Sequence, residues 1–454
     1  MVDFWEVVDR ALTGSRMSER EWDFQVFHKT QELVKEYGIE FDGKTFVPSD
    51  DTLADTVFEA GLNLLTSIGG YCLGTNRVIE FSESEIKEAL KAAPSELTIG
   101  SGKDARNVIH REIEDKRPPN MFGRGMAPFE EGELYVRFAE AVAEMPFVDG
   151  FLCPNLLGIE GRRIRTLAHE VHASKYEVCW AKEGARRAGR PGLFVGYYPI
   201  STNPATMIAS LDHKMGVTET DGILITPLPE LKIEAGLLGV VAAVLDHGCA
   251  VLSQPSATLG GFAGGPEGAA VVLTANSLYG TLVYRTKIHC GPMVVALEES
   301  IRNDPMCLWV VTVALQALNR NAHLIAGGVM GSLIGNVGTE MALYEAMHRS
   351  LALVPCGSMI LGTRPYKPLR LNMGTPLEVK WAYECGVAAT KYAREEADEL
   401  SREVYKKYSG QVKHPPPGKT LRECYNVETM TPLPEYLALY ERVKEDLRDL
   451  GIEL

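Results

Sequence analysis

The sequence lacks most of the features that would place it quickly. It has no CxxC pair, and its nine cysteines (72, 153, 179, 249, 290, 307, 356, 385 and 424) are odd in number and widely spaced. Neither a disulfide framework nor a zinc ribbon is supported, and a reducing cytoplasm is the expected location. No run of about 18 apolar residues occurs, so no membrane span is expected. The first residues, MVDFWEVVDRALTGSR, carry acids where a signal peptide needs a basic start and an apolar core. Basic residues are outnumbered, 46 against 60 acidic, and the net charge of -14 argues against nucleic acid as a partner. No GxxxxGK[ST] motif is present. Gly100-Ser-Gly102 and Gly123-Arg-Gly125 each lack the third glycine of a dinucleotide fingerprint.

What is present is an ordinary globular composition, 45% hydrophobic and 23% charged over 454 residues. Residues 1–115 read as a mainly helical cap. Ser18 with Glu21, and Ser82 with Glu85, have the spacing of a capping box, and Leu53, Val57, Phe58, Leu62 and Leu65 recur at helical intervals. From about 116 to 410 the texture changes. Apolar runs at Asn120–Arg124, Phe147–Cys153, Leu193–Pro199, Gly222–Leu228, Ala250–Pro255, Ile288–Met293, His323–Gly328 and Val354–Thr363 alternate with helix-length connections. Eight such units predict an α/β fold, a (β/α)8 TIM barrel with an N-terminal helical cap and a C-terminal helical tail. Thr375-Pro-Leu-Glu378 opens the last barrel helix, expected to run to about Tyr408. Residues 411–454 are expected to form a stiff linker at His414-Pro-Pro-Pro-Gly418 and a short amphipathic helix over 433–449.

In such a barrel the chemistry lies at the C-terminal ends of the strands. Those ends offer Cys153, Pro154 and Asn155; Tyr197 and Tyr198; Thr226 and Glu230; Gln254; His289 and Cys290; Gly328 to Met330; and Thr363. No lysine is among them, which removes Schiff-base chemistry. The loop Gly260-Gly-Phe-Ala-Gly-Gly-Pro-Glu-Gly268 either cradles an anion, admits a close neighbour, or is a plain turn, and Glu267 either caps the following helix or acts in catalysis. His169 and His172 lie on one helix, but HEVH is not a zinc-protease motif. Glu219, Glu234, His213 and His247 form a looser zinc option with no compact spacing to enforce it. No metal ligand is assigned. Asp212-His213-Lys-Met-Gly216 fails the corrinoid-binding pattern Asp-x-His-x-x-Gly, so any corrinoid must arrive on another protein.

Several segments, taken in order, resemble the monomethylamine:corrinoid protein methyltransferase family. These are Glu21-Trp-Asp23, Gly100-Ser-Gly-Lys-Asp-Ala-Arg-Asn107, Ala188-Gly-Arg-Pro-Gly192, Glu230-Leu-Lys-Ile233, Gly260–Gly265, Thr339-Glu-Met341 and Gly418-Lys-Thr-Leu-Arg-Glu-Cys-Tyr425. The resemblance implies a (β/α)8 barrel that passes a methyl group to the cobalt of a separate corrinoid protein. It also implies pyrrolysine four residues after Arg-Pro-Gly, where this chain has Gly196, and polar neighbours where it has Leu224, Gln254 and Met330. With Tyr197 and Tyr198 as walls, that exchange predicts a roomy aromatic pocket and resembles the methyltransferase of a methoxyarene O-demethylase. Substrate contacts are then expected from Gly196, Tyr197, Leu224, Gln254 and Met330. Tyr198, His289 and Glu267 are the candidates to protonate the departing phenolate. Zinc stays an option because such demethylases include zinc-dependent members. The expected partners are a corrinoid protein, a small aromatic substrate and a second copy of the chain. A methylamine, a quaternary amine in a tyrosine cage, or a non-catalytic paralogue are the alternatives, and absence of an essential acid favours the quaternary amine.

Overall fold

The computed structural model describes residues 2–454 except 126, 127, 131, 160, 297, 299, 300, 331–333 and 363–369. Eight parallel strands close into a barrel: β1 Met121–Arg124, β2 Gly150–Leu152, β3 Phe194–Tyr197, β4 Gly222–Leu224, β5 Ala250–Ser253, β6 Ile288–Cys290, β7 Ala326–Val329 and β8 Met359–Leu361. Each sequence run holds one strand, β7 alone ending one residue past its run. The helices that follow them are α1 Gly132–Ala143, α2 Leu167–Arg187, α3 Pro204–Ala209, α4 Ala235–His247, α5 Pro266–Val283, α6 Pro305–Asn321, α7 Glu340–Leu353 and α8 Pro376–Ala389. Thr363 lies outside the described residues. No helix among those described is long and apolar enough to cross a membrane, and all nine cysteines are free.

The lumen is a separate apolar core of its own. Phe122, Leu152, Phe194, Leu224, Leu252, Ile288, Cys290, Met359 and Leu361 fill it. The rings of Phe122 and Phe194 stack with centroids 5.4 Å apart. They fit because two neighbouring lumen positions are glycine: a Cβ at Gly150 would lie 2.8 Å from Phe194 Cδ1, and one at Gly222 would lie 2.8 Å from Phe194 Cζ. The floor is closed by a hairpin, Glu96–Ile99 paired with Arg106–Ile109, which inserts Ile99 and Val108 into the same cluster.

Outside the barrel, the N-terminal helices Phe4–Thr13, Glu19–Tyr37, Asp51–Ile68 and Glu83–Ala92 form the expected cap. Both predicted capping boxes are present, at Ser18/Glu21 and Ser82/Glu85. Asp51–Ile68 lies along α5 and α6 so closely that a Cβ at Gly61 would sit 2.9 Å from Thr274 Cγ2 and 3.2 Å from the Ala275 nitrogen. α5 is therefore buried from Gly268 to Val283. One apolar cluster outside the lumen takes in residues from Val2 to Ile452.

Two details of the C-terminal region differ from the sequence reading. α8 stops at Ala389, and a second helix, Arg394–Lys406, replaces its expected continuation. Glu114 holds the break. Its Oε1 accepts from the Arg394 nitrogen at 2.9 Å and from Arg394 Nε at 3.2 Å, which anchors the new helix start to the chain ahead of β1. The proline run is also no free spacer, since Asn336 Nδ2 donates to the Pro416 carbonyl at 3.2 Å and the Lys419 nitrogen to the Val337 carbonyl at 2.8 Å. The final helix, Pro434–Asp449, forms where expected.

Gly61→Leu tests the docking of the cap. The added side chain has no room between two backbones, so urea unfolding should report a loss of about 1–3 kcal/mol. An unchanged midpoint would show that the helix Asp51–Ile68 does not pack on α5.

Candidate active site

The pleat of each strand decides which candidates face the lumen, because successive side chains point to opposite faces. On β3, Phe194 points inward, Val195 outward, Gly196 inward and Tyr197 outward, and Tyr198 beyond the strand returns to the lumen cluster. Leu224 on β4 also points inward. At the mouth, Tyr198 donates its hydroxyl proton to Gln254 Oε1. Gln254 is 5% exposed, and its Nε2 lies 3.6 Å from where a Cβ of Gly291 would be. Gly196, Tyr198, Leu224 and Gln254 therefore share one end of the barrel.

The other sequence candidates lie elsewhere. Tyr197 packs outward among Tyr135, Cys153 and Glu177, and burial raises its phenol well above the ordinary range. His289 sits between Ile288 and Cys290, both lumen residues, and so faces α5, where its Nε2 is 3.2 Å from Thr281 Oγ1. Burial pushes its pKa down to about 4, so it is neutral and supplies no proton. Glu267 is at the first turn of α5 and accepts from the Phe41 nitrogen at 3.1 Å, tying the cap to the barrel. Met330 follows the inward Val329, is fully buried, and belongs to the outer cluster.

Gly196 also fails to open the space expected of it. A Cβ there would be 2.4 Å from Leu152 Cδ2 and 3.1 Å from Leu252 Cδ1, so the two leucines occupy the room a side chain would have taken. The glycine loop 260–268 packs on the cap helix Glu19–Tyr37. A Cβ at Gly264 would lie 2.5 Å from Gln31 Nε2, and Phe262 meets Phe24 edge-on at 6.1 Å. Its close neighbour is protein rather than an anion. The looser zinc option fails as well: Glu234 caps α4 through the Gly236 nitrogen, and His247 is bonded to the Val217 carbonyl at 2.8 Å. His169 is bonded to Thr166, and His172 meets Tyr176 at a tilt of 58° with centroids 4.9 Å apart.

Two polar groups near the barrel mouth escaped the sequence reading. Arg124, at the end of β1 and 5% exposed, places its guanidinium 3.8 Å over the Tyr198 ring. The strand-end rule that selected Gln254 selects Arg124 equally once Asn120–Arg124 is counted as a strand. Glu177, on α2, is fully buried and no local motif marks it. Its Oε1 accepts from the Leu156 nitrogen at 2.8 Å, with Tyr197 and Asn155 beside it, and burial raises its pKa to about 8. Asn155 in turn donates to the Tyr198 carbonyl at 3.0 Å. A small cavity of about 20 Å³, room for one water, adjoins Gln254, Gly291 and Arg349. A far larger hollow of about 700 Å³ lies in the cap between Arg10, Gln25 and Glu85, remote from the strand ends and unconnected with them in chemistry.

Over residues 2–452 the sequence matches the model of a known family, the monomethylamine methyltransferase MtmB. The chain belongs to the monomethylamine methyltransferase MtmB family. It is 28% identical to the MtmB2 monomethylamine methyltransferase of Methanosarcina acetivorans, the alignment covering 99% of this chain and 98% of that one, and equally identical to MtmB1 of Methanosarcina barkeri. The crystal structure of the Methanosarcina barkeri MtmB superposes with a TM-score of 0.92 at 27% identity, covering 100% of this chain and 99% of that one, and so does a hydroxylamine complex of MtmB. As a member of the MtmB family the chain is a methyltransferase, of the kind whose methyl group goes to a corrinoid protein.

Glu177 gives a test that the site's geometry generates. Its unfolded pKa is near 4.5 and its folded value about 8, so its contribution to stability is intact below pH 4.5 and is lost as pH rises towards 8. Glu177→Gln keeps an acceptor for Leu156 and removes that loss. Denaturant titrations at pH 5 and pH 8 should show the variant gaining on the wild type at the higher pH. Equal differences at both pH values would mean that Glu177 is ionised in the native state.

Proposed function

We propose that the barrel mouth binds a methylated amine with a quaternary nitrogen and presents one methyl group to a docked corrinoid protein. The observation that carries this reading is the placement of the acid candidates. His289 and Glu267 point away from the lumen, so Tyr198, already bonded to Gln254, is the one remaining proton donor of the three. A quaternary ammonium loses a methyl group and departs as a neutral tertiary amine, which needs no proton. The partner's Co(I) supplies the nucleophile. This chain's part is to bind, orient and desolvate the donor. Leu152, Leu224 and Leu252 form an apolar seat for the methyl groups, and the similarity to monomethylamine methyltransferases supports a nitrogen donor. Arg124 at the same rim suits a donor that carries a carboxylate beside its ammonium.

A second reading, transfer from a methoxyarene, is favoured by one observation. Tyr198 carries its hydroxyl at the edge of an apolar lumen, bonded to Gln254 and within reach of an ether oxygen held there. Phenolate departure needs such a donor. The absence of pyrrolysine at Gly196, which the family resemblance places at the reacting position, argues in both readings against chemistry through an electrophilic imine.

Mixing the protein with a reduced corrinoid protein and following the cobalt spectrum separates these readings. Quaternary amines with a carboxylate should demethylate, and monomethylamine and methoxybenzoates should not. Tyr198→Phe should leave that rate within about threefold, because no proton is transferred. If methoxyarenes alone react, and Tyr198→Phe slows the ethers with the most basic phenolates most, the second reading replaces the first.

A further inference from the structure

The barrel floor, opposite the proposed site, carries a three-residue cluster with the geometry of a metal centre. His110 follows the plug hairpin, Glu112 lies two residues on, and His323 precedes β7. His110 Nε2 lies 3.4 Å from Glu112 Oε1 and 3.4 Å from His323 Nδ1, and His323 Nδ1 lies 3.9 Å from the same Glu112 Oε1. One atom from each residue thus forms a near-regular triangle. The point equidistant from its corners is about 2.1 Å from each, the bond length of Zn²⁺ to imidazole nitrogen and carboxylate oxygen. An octahedral Mg²⁺ with bonds of about 2.1 Å would draw its ligands to separations near 3.0 Å, shorter than any of these edges.

The surroundings orient the ligands. His110 Nδ1 is 3.2 Å from the Leu324 carbonyl, which only accepts, so the ring proton sits on Nδ1 and the Nε2 lone pair faces the triangle. That nitrogen lies 3.4 Å from both Glu112 Oε1 and His323 Nδ1, so a cation in the triangle would meet one lone pair from each residue. His323 adopts φ +47, a left-handed conformation uncommon for a side-chain-bearing residue, which brings its ring edge-on to His110 with centroids 5.1 Å apart. His110 is buried, whereas Glu112 and His323 are exposed and leave an open side for water. Among the described residues this is the single group of three or more histidine, cysteine or acidic side chains whose ligand atoms lie this close together.

We propose that His110, Glu112 and His323 bind one zinc-class divalent cation, with water in the fourth position, and that the ion fastens the plug hairpin to the foot of β7. The inference is independent of the methyl donor, because the cluster lies at the opposite end of the barrel. Full-length protein stripped with a chelator should take up one equivalent of Zn²⁺ in a calorimetric titration and show a rise in Tm. Glu112→Gln and His323→Asn, the latter able to keep the left-handed backbone, should each weaken that binding at least tenfold and abolish the Tm rise. Zn²⁺ should also slow hydrogen exchange over residues 106–112. Mg²⁺ should have no effect. Zinc uptake that is absent, or that both variants retain at wild-type affinity, overturns the proposal, and equal binding of Mg²⁺ overturns the zinc-class assignment.

Discussion

The two-residue period of eight short strands governs this molecule. Each strand contributes only one or two side chains to the lumen, so a shift of one position exchanges an active-site wall for a helix contact. Tyr197 and Tyr198 illustrate the consequence. They are adjacent in sequence and both aromatic, yet one is locked against α2 and the other stands at the mouth beneath Arg124. His289 is excluded from chemistry by the same rule, held between two inward neighbours. A closed barrel permits no local compensation, because every strand is hydrogen-bonded on both sides.

Four of the seven segments that carry the family resemblance meet in two pairs, and a fifth, Gly418–Tyr425, is met by the residue just before Thr339. Trp22 and Asp23 of the cap reach Glu230 and Lys232 after β4: Trp22 Nε1 donates to the Glu230 carbonyl at 3.0 Å, and Lys232 Nζ lies 2.6 Å from Asp23. The Gly100–Asn107 stretch clasps Ala188–Gly192 beneath the barrel, with the Ser101 nitrogen on the Gly192 carbonyl at 2.8 Å and the Gly192 nitrogen on Asp104 at 3.1 Å. Near the last helix, Gly338 packs against Lys419 and Cys424. In this chain these contacts are clamps that hold cap, floor and tail to one scaffold. The lumen residues proposed to choose a substrate fall between the clamps.

This division explains what could be read from the sequence. Strand positions, capping boxes and barrel class follow from apolar runs, turn residues and helix-start spacing, all local signals. Lumen contents follow only when the strand register is known to the residue. Gln254 was legible from its strand-end position and Leu224 only through the family resemblance, whereas Gly196 was misread as space because the leucines that fill it, Leu152 and Leu252, come from two other strands. Glu114 broke an expected helix 280 residues away, and Glu177 shows no pattern of its own. Neither effect has a signal within a sequence window.

The clamp between Trp22 and Glu230 also sets an order of events in time. Its partners are 208 residues apart, and Asp398, which receives the Phe46 and Val47 nitrogens, lies a further stretch along the chain. At a synthesis rate of roughly 5–20 residues per second, the cap helices wait about 10–40 s between emerging and meeting even the nearer partner. During that wait the apolar faces that will cover α5 and α6 have nothing to cover. A newborn chain of this design carries uncovered apolar surface at its beginning until its middle has been made.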